Sequence, residues 1–593
     1  MLSTMETNRE TARKSFKFLK KASSLQDWFS KIIPYENGRG GLLPVGNLHL
    51  EDHDLIRDLA GWRESNQSKF PTRFSVTQQG TRQWLHKLVL SSEERILFLV
   101  LDEGGYRVGH LGYIFVEDSS FVLEVDNVVR GVAGRSPGIM GLALSTMLRW
   151  AQKTLGTEGF VLRVLSDNKR AIQFYKKHSF IEEKREPLWI HKENNKIKYL
   201  PEKIGDKEPD SSMLHMRWEA PKHDPKRMIL TAGPSISERE VNYAFHAAIK
   251  GWNQSASEYL DKFEKTFSEY LGARFCLSTS SCTGALHIAL AALGIGPGDE
   301  VVVPELTWVA TANAVRYVGA TPIFADVEED TWCLDPASFE AKISAKTKAV
   351  IPVHLYGQPA RMDRIMEVAH KYRLFVVEDA APAIGAFWKK QKVGTFGDFA
   401  CFSFQGAKML VAGEGGAIVT NNEELFRKAK KIWDQGRNPS RQFWIDSFGL
   451  KYKMANIQAA LALAQVERCA EQIEMKRRIF RWYQDGLQGC PGIEMHIEQP
   501  ESRSIYWMSS CLLTGKLADQ RADLLLNLKK RNIDTRIVFP CISQYPLWGK
   551  KLKPEPRATL VAERAFNLPS GATLEKSSIE YICETIRQVS ILI

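Results

Sequence analysis

Ser403-Phe-Gln-Gly-Ala-Lys408, followed by Gly413-Glu-Gly-Gly416, is the stretch on which the reading of this chain turns. It sets a lysine amine, a nucleophile toward carbonyl carbon, just before a glycine-rich turn. Upstream, the apolar run Leu374 to Val377 reads as a buried strand ending in Glu378-Asp379-Ala-Ala381. Further upstream, Ser278-Thr-Ser-Ser-Cys-Thr-Gly284 precedes the helical run Ala285 to Leu293. Hydroxyls and free backbone N–H groups at a helix N-terminus form an anion site. Gly296-Pro-Gly-Asp-Glu300 and the strand run Val301 to Val303 then lead into Pro304-Glu-Leu-Thr-Trp308, whose indole can stack on a flat ring. An amine, a strand-end acid, an anion cradle and an aromatic face thus lie in one α/β pattern.

At 593 residues the chain is too long for one hydrophobic core, and two or more domains are expected. Its 44% hydrophobic and 25% charged residues match ordinary globular proteins and exclude a disordered chain. No run approaches the roughly 20 apolar residues of a membrane span. Met1 to Lys21 is polar and basic, without the apolar core of a signal peptide. Stable membrane insertion is therefore not expected, and the expected location is cytoplasmic. All nine cysteines follow residue 275, without a CxxC pair or zinc spacing. They read as small core residues, and no metal is expected. The net charge of +11 fits a solvated basic surface or anionic small substrates. No basic recognition helix or aromatic RNA-binding motif accompanies it, so no nucleic-acid partner is expected.

Four segments are expected. Residues 1–45 read as a partly helical leader, in which Phe16, Leu19, Leu25, Trp28, Phe29 and Ile32 recur at near-helical spacing among Lys14, Lys17, Lys20 and Lys21. That pattern suits a basic helix on a membrane surface or, more commonly, a segment packed on its own protein. Residues 46–219 alternate short strands and helices. Ala220-Pro-Lys-His-Asp-Pro-Lys-Arg227 is polar with two prolines and reads as a linker. From 228 to 593 strands and helices alternate as in a mostly parallel α/β sheet.

The amine, acid, anion cradle and aromatic face together read as a pyridoxal 5'-phosphate site, in which an aspartate keeps the pyridine nitrogen protonated. With Gly233-Pro-Ser-Ile236, Val353-His-Leu-Tyr-Gly357, Tyr452-Lys-Met-Ala-Asn-Ile-Gln458 and Asp534-Thr-Arg536, this part resembles the DegT family of nucleotide-sugar aminotransferases. Thr331-Trp-Cys-Leu-Asp-Pro336 and the Trp308 context are most similar to its perosamine-synthase branch. The resemblance implies the fold-type I aminotransferase fold, a mostly parallel large domain with a small α+β domain. It implies that Lys408 bonds the cofactor and shuttles protons, that Asp379 partners the ring nitrogen and that Trp308 stacks on the ring. By the same match Ser281, Cys282, Thr283 and Ser403 fall at the phosphate. Lys451 stands where many members have an asparagine that reaches a neighbouring subunit's phosphate, which implies a homodimer. Two residues depart from the pattern: Pro382 replaces the usual Gln, His or Glu, and Cys282 replaces a common glycine. The lysine, where related dehydratases have histidine, favours transamination.

In the N-terminal half, Phe121-Val-Leu-Glu-Val-Asp-Asn-Val-Val-Arg130 reads as a strand and Gly131 to Pro137 as a glycine-rich turn. Pro137 to Leu155 reads as an amphipathic helix. Arg135-Ser-Pro-Gly138-Ile-Met-Gly141 then puts a basic residue and exposed N–H groups at a helix N-terminus, a pyrophosphate cradle. A strand, Phe160 to Leu165, follows, and Asp167-Asn168-Lys-Arg-Ala-Ile-Gln-Phe-Tyr175 opens a second helix. This resembles the GNAT superfamily of acetyl-CoA-dependent N-acyltransferases, although Met140 stands where Gly or Ala is usual. The resemblance implies that Arg135, Gly138, Gly141 and Asn168 belong to the coenzyme site and that Tyr175 protonates the leaving thiolate. Glu124, with Asp126 sharing its strand face, is the expected base for the acceptor amine.

The two resemblances together imply a bifunctional enzyme. Its C-terminal part would aminate a 4-keto-6-deoxy sugar nucleotide, with glutamate as donor, and its N-terminal part would acylate the new amine from acetyl-CoA. Such sugars feed surface polysaccharide synthesis. Two other readings stand beside it: an acyltransferase for an unrelated amine, and a binding or regulatory module without chemistry.

Overall fold

The computed structural model describes residues 2–593 except 25–26, 29–30, 36–37, 117–120, 158, 194–195 and 550–551, with backbone only for 2–8. Two compact units result, 1–221 with 237–239, and 222–236 with 240–593.

In the N-terminal unit, Arg95–Leu101 is apolar on both faces because both faces of its sheet are covered. That sheet has ten strands, in the spatial order Ile33–Pro34, Gly41–Pro44, Arg95–Leu101, Arg107–Phe115, Val122–Arg130, Gly159–Leu165, Ser211–Trp218, Phe180–Glu193, Lys196–Leu200 and Thr72–Arg73. The helix Ile139–Trp150 lays Met140, Ala143, Leu144 and Met147 on Phe98, Leu111, Tyr113 and Phe160. On a second core, His53–Ser65 packs Leu55, Leu59 and Trp62 with Leu97, Leu99 and Val129.

The segment expected as a leader belongs to this unit. In the helix Leu2–Lys20, Ala12, Phe16 and Leu19 recur on one face and are buried in the first core. The Lys20 ammonium is buried and donates to the carbonyls of Val89 and Ser92 at 2.7 and 2.5 Å. The helix thus has its apolar face on protein, and the membrane-surface reading falls away. Ile33–Pro34 and Gly41–Pro44 extend the sheet itself, so no boundary falls at residue 45. Leu25 and Phe29 of the pattern lie outside the described residues.

The C-terminal unit is built on a seven-stranded sheet. Its order is Phe275–Thr279, Gly416–Thr420, Phe399–Ser403, Phe375–Asp379, Thr347–Val350, Glu300–Pro304 and Thr321–Ala325. Every pairing is parallel except the two made by Gly416–Thr420. Cores lie on both faces, one around Phe263, Phe267 and Phe404, the other around Leu286, Ile288 and Phe399. A smaller four-stranded antiparallel sheet, Ile493–Met495, Ser509–Leu513, Ala565–Leu568 and Arg536–Ile537, packs with the helices Cys469–Leu487 and Lys576–Leu592. This is the expected mostly parallel large domain with a small α+β domain. All nine cysteines are buried and free.

Candidate active sites

Open parallel sheets place ligands at the C-terminal ends of their strands. Asp379 is the last residue of Phe375–Asp379 and is 6% exposed. It accepts the Thr311 hydroxyl at 2.8 Å and the Ala381 N–H at 3.2 Å. Burial raises its pKa, while Thr311 and then Lys408 act to lower it. Lys408 stands on the loop that leaves Ser403 and returns at Gly416, and those two residues pair directly. The Gly406 N–H to Gly413 O bond at 2.8 Å draws the loop together. Desolvation lowers the basicity of the Lys408 amine, opposed by Asp379 and Cys282. Its Nζ lies 4.0 Å from the ring centre of Trp507, whose indole N–H donates to Ala407 O at 2.8 Å.

Ser281 caps the helix Cys282–Ala292, its Oγ accepting the Gly284 N–H at 3.1 Å. A Cβ on Gly416 would fall 2.5 Å from Ser281 C and 2.6 Å from Cys282 N, so only glycine lets this strand abut the turn. Thr283 is half-buried in the first turn, and the buried Ser403 has its Oγ 3.3 Å from the Gln405 N–H it accepts. Cys282 is the first residue of that helix; its side chain is buried in the core, and burial pushes its thiol pKa well up. Trp308 is 55% exposed, its ring centre 5.6 Å from that of Phe539. Lys451 is exposed, and Pro382 is buried.

Beneath Asp379 lies a network that the sequence did not announce. Glu378 is fully buried and accepts N–H groups from Gly394, Phe396 and Gly397 at 2.7, 2.7 and 2.9 Å. Its Oε2 is 3.1 Å from Nε2 of the equally buried His354. The Ala360 N–H donates to Nδ1 of that ring at 3.1 Å, so Nε2 carries the proton and donates to Glu378.

In the N-terminal unit, Val122–Arg130 pairs in parallel with Gly159–Leu165 only from Val122 to Glu124. Beyond that point the second strand continues on Ser211–Trp218 and the first on Arg107–Phe115, so the two part. Asn127, at φ +52°, marks a bulge where they separate. The helix Ile139–Trp150 begins beyond Gly138, which is at φ +82° and provides no side-chain cap. An anion cradle needs first-turn N–H groups free of a side-chain cap, and here Ile139 and Gly141 donate to the turn's own carbonyls, Ser136 O at 3.3 Å and Gly138 O at 3.0 Å.

Three expected residues take other partners. Arg135 is drawn to the buried Asp102, with Nε 2.5 Å from Oδ2. Asp102 also accepts the Ser136 hydroxyl at 3.4 Å and so ties the glycine-rich turn down. Gly141 makes room for a helix contact: a Cβ there would lie 2.8 Å from His178 Nε2. Asn168 caps Lys169–Lys177, accepting the Ala171 N–H at 3.3 Å. Tyr175 is 8% exposed, and burial, then Asp126, push its pKa far up, which keeps the phenol a proton donor. Both oxygens of Glu124 are engaged by Arg163, at 2.8 and 3.1 Å. Asp126 accepts the Asn127 N–H at 2.8 Å and its side-chain amide at 2.6 Å and lies 3.5 Å from Arg95; it, rather than Glu124, bears electrostatically on Tyr175. His110, also missed, is buried; burial pushes its pKa down to about 4, and its Nδ1 lacks a partner among the described residues.

Comparison with known proteins places both halves. The DegT/DnrJ/EryC1/StrS aminotransferase family profile matches residues 234–587, and the acetyltransferase (GNAT) family profile matches residues 59–180. The chain is 40% identical over 355 residues to a GDP-perosamine synthase of Escherichia coli O157:H7, covering 60% of this chain and 96% of that protein. It is 38% identical over 364 residues to that of Caulobacter vibrioides, covering 61% and 98%. Among solved structures, the aminotransferase TlmJ from Streptoalloteichus hindustanus superposes with a TM-score of 0.59 at 28% identity, covering 62% of this chain and all of that one. DesV of S. venezuelae does so at 0.55 with 30% identity, covering 59% and 94%.

Proposed function

Because this chain belongs to the DegT/DnrJ/EryC1/StrS aminotransferase family, we propose that its C-terminal unit transfers an amino group to a 4-keto-6-deoxy sugar nucleotide, with glutamate as donor. The observation that carries this is the meeting of a lysine amine of lowered basicity with a buried carboxylate beside a capped helix N-terminus. Those residues fit pyridoxal phosphate, which when bound supplies the electron sink for moving an amino group between an amino acid and a ketone. Ser281, Thr283, Ser403 and the first-turn N–H groups hold the phosphate. Asp379 keeps a proton at the ring nitrogen, and Thr311 orients its carboxylate. The Lys408 amine, easily deprotonated, takes up and returns the proton at the reacting carbon. Trp308 covers one ring face and Trp507 shields the amine from water. The perosamine-synthase relatives favour the 4-keto-6-deoxy class of substrate. A homodimer, with Lys451 reaching the neighbouring phosphate, completes this reading. The solvent-facing Phe443 and Phe448, 94% and 101% exposed, are suited to such a contact.

The N-terminal unit then acylates the new amine from acetyl-CoA, with the coenzyme at the Gly138 turn and between the parting strands. Tyr175 protonates the leaving thiolate, and Asp126, on the face first assigned to Glu124, receives the amine proton. The product belongs to polysaccharide building blocks made in the cytoplasm. Mass spectrometry of products from a panel of 4-keto sugar nucleotides with glutamate and acetyl-CoA tests both steps. The expected series is ketone, amine, then amine plus one acyl group. No amine from any ketone refutes the first assignment. The two-oxygen hold of Arg163 on Glu124 favours a second reading, a binding module without chemistry. Amine that accumulates unacylated although acetyl-CoA binds would establish it.

A further inference from the structure

A second cavity of the C-terminal unit, about 370 Å³, runs beside the edge strand Thr321–Ala325 and shares no lining residue with the Lys408 site. Glu305, fully buried, and Ser543, 2% exposed, both line it. Glu305 is held by its backbone: its N–H donates to Ala325 O at 2.8 Å and its carbonyl accepts from Ile542 at 3.0 Å. Its Oε1 accepts the Ser543 N–H at 2.8 Å. Its Oε2 is buried without a partner among the described residues, and the Ser543 hydroxyl beside it acts on the same carboxyl. A buried carboxylate oxygen left unbonded against a cavity calls for an occupant that bonds it.

The lining defines that occupant's chemistry. Arg316 and Lys553 are exposed where they line the cavity, and neither has an ion-pair partner among the described residues, whereas Lys342 is paired with Glu555 at 2.5 Å. The indole of Trp548 adds an apolar wall, turned by its N–H bond to Ile542 O at 2.6 Å. An acid and a hydroxyl at the buried end ask for a donor with several N–H groups, and two cations at the open end ask for an anion. Of the two carboxylates that line the cavity, Glu555 is held by Lys342, which leaves Glu305 and one hydroxyl, too few ligands for a metal; the described residues contain no metal-binding group of three. A neutral sugar would leave the cations unanswered.

We propose that this cavity binds a free amino acid, its ammonium on Glu305 and Ser543 and its carboxylate toward Arg316 and Lys553. The inference goes beyond the aminotransferase and acyltransferase readings and stands without them. Burial holds the Glu305 carboxyl up to about 7, against the Ser543 N–H and hydroxyl; Glu555 and Asp326 push the same way as burial, and Cys541 adjoins it. An ammonium needs the ionised acid, so affinity rises from pH 6 to pH 8.

The test is isothermal titration of the full-length holoenzyme with β-alanine, glycine betaine and propionate. These share a carboxylate, and only β-alanine offers ammonium N–H groups. β-Alanine is expected to bind, and the other two to bind about tenfold more weakly or not at all. Glu305→Gln is expected to weaken β-alanine by about tenfold or more and to remove the pH dependence. Ser543→Ala guards against misfolding of the first variant and is expected to weaken binding by several-fold. Equal binding of all three probes, or of β-alanine to wild type and both variants, overturns the proposal. So does a crystal structure soaked in β-alanine that shows only water on Glu305 Oε2 and the Ser543 hydroxyl.

Discussion

Replacing Glu378 by glutamine exchanges one acceptor oxygen for an NH₂ group, and the structure sets the cost. Oε1 takes the Phe396 and Gly397 N–H groups, and Oε2 takes those of Gly394 and His354. The amide oxygen of glutamine can serve one of these pairs, and its NH₂ then faces the other. Two buried donors lose their acceptor whichever way the amide turns. A tautomer shift of His354 does not help, since it would orphan the Ala360 N–H. At about 1–3 kcal/mol for each unsatisfied buried donor, the loss is roughly 2–6 kcal/mol. For a unit of this size, with an unfolding entropy of about 2.1 cal/mol/K per residue, that lowers Tm by about 3–8 °C. Calorimetry of the full chain measures it, with Glu423→Gln as control. Glu423 forms an exposed pair with Arg427 one turn along its helix, which solvent screens to little net stabilisation. A Glu378→Gln midpoint within about 1 °C of wild type, or equal to the control, refutes the reasoning. Because Glu378 adjoins Asp379 on the same strand end, cofactor retention should fall in parallel with the midpoint.

Lys408→Ala should abolish amine formation, and Asp379→Asn should fold normally yet lose most of it, both read by product mass; full turnover in either removes that residue's assigned role. The buried Lys476 donates to the carbonyls of Trp507 and Ser570, and burial pushes its pKa down to about 7. Its pKa rises to about 10.4 on unfolding, so the unfolded chain binds more protons between those values and stability rises with pH from 7 to 10. Lys476→Met should remove up to ~1.4 kcal/mol per pH unit of that slope, seen as convergence of the two proteins' denaturation midpoints at high pH. Asp126→Asn and Tyr175→Phe should each slow acylation by about 10²-fold or more while amination continues. Glu124→Gln should cost less, and an equal loss would return the role of base to Glu124.

Local signals were legible. The strand that ends at Asp379, the Ser281 cap and the turn before Ile139 each declare themselves within a few residues, through apolar runs, glycines and small hydroxyls. What the sequence hid was made by chain segments far apart. Trp507 reaches Lys408, and Arg163 reaches Glu124, only after the sheets assemble. Thr311 carried a weak signal, a hydroxyl shortly after Trp308, but nothing in its spacing pointed to Asp379. The first helix misled for a simpler reason. An apolar stripe among lysines looks the same whether lipid or protein covers it, and Lys20, apparently a solvated charge, is buried on two carbonyls. Glu305 likewise read as part of a strand-end motif, and only the surrounding packing leaves its second oxygen without a partner.

The one antiparallel strand of the large sheet has a consequence for how this protein can change. Since Ser403 and Gly416 are paired residue to residue, the segment between them is a loop clamped at both feet. Substitution within it leaves the sheet's register untouched, because register is set by the clamps. Residues around Lys408 can therefore be exchanged as a cassette, shifting the amine relative to Asp379 while the strand bearing that aspartate stays in place. In a parallel arrangement the same two strands would need a long crossover, and any change near the lysine would be coupled to a helix on the sheet's face. Here the Lys408 amine and the Asp379 acid stand on separately adjustable supports.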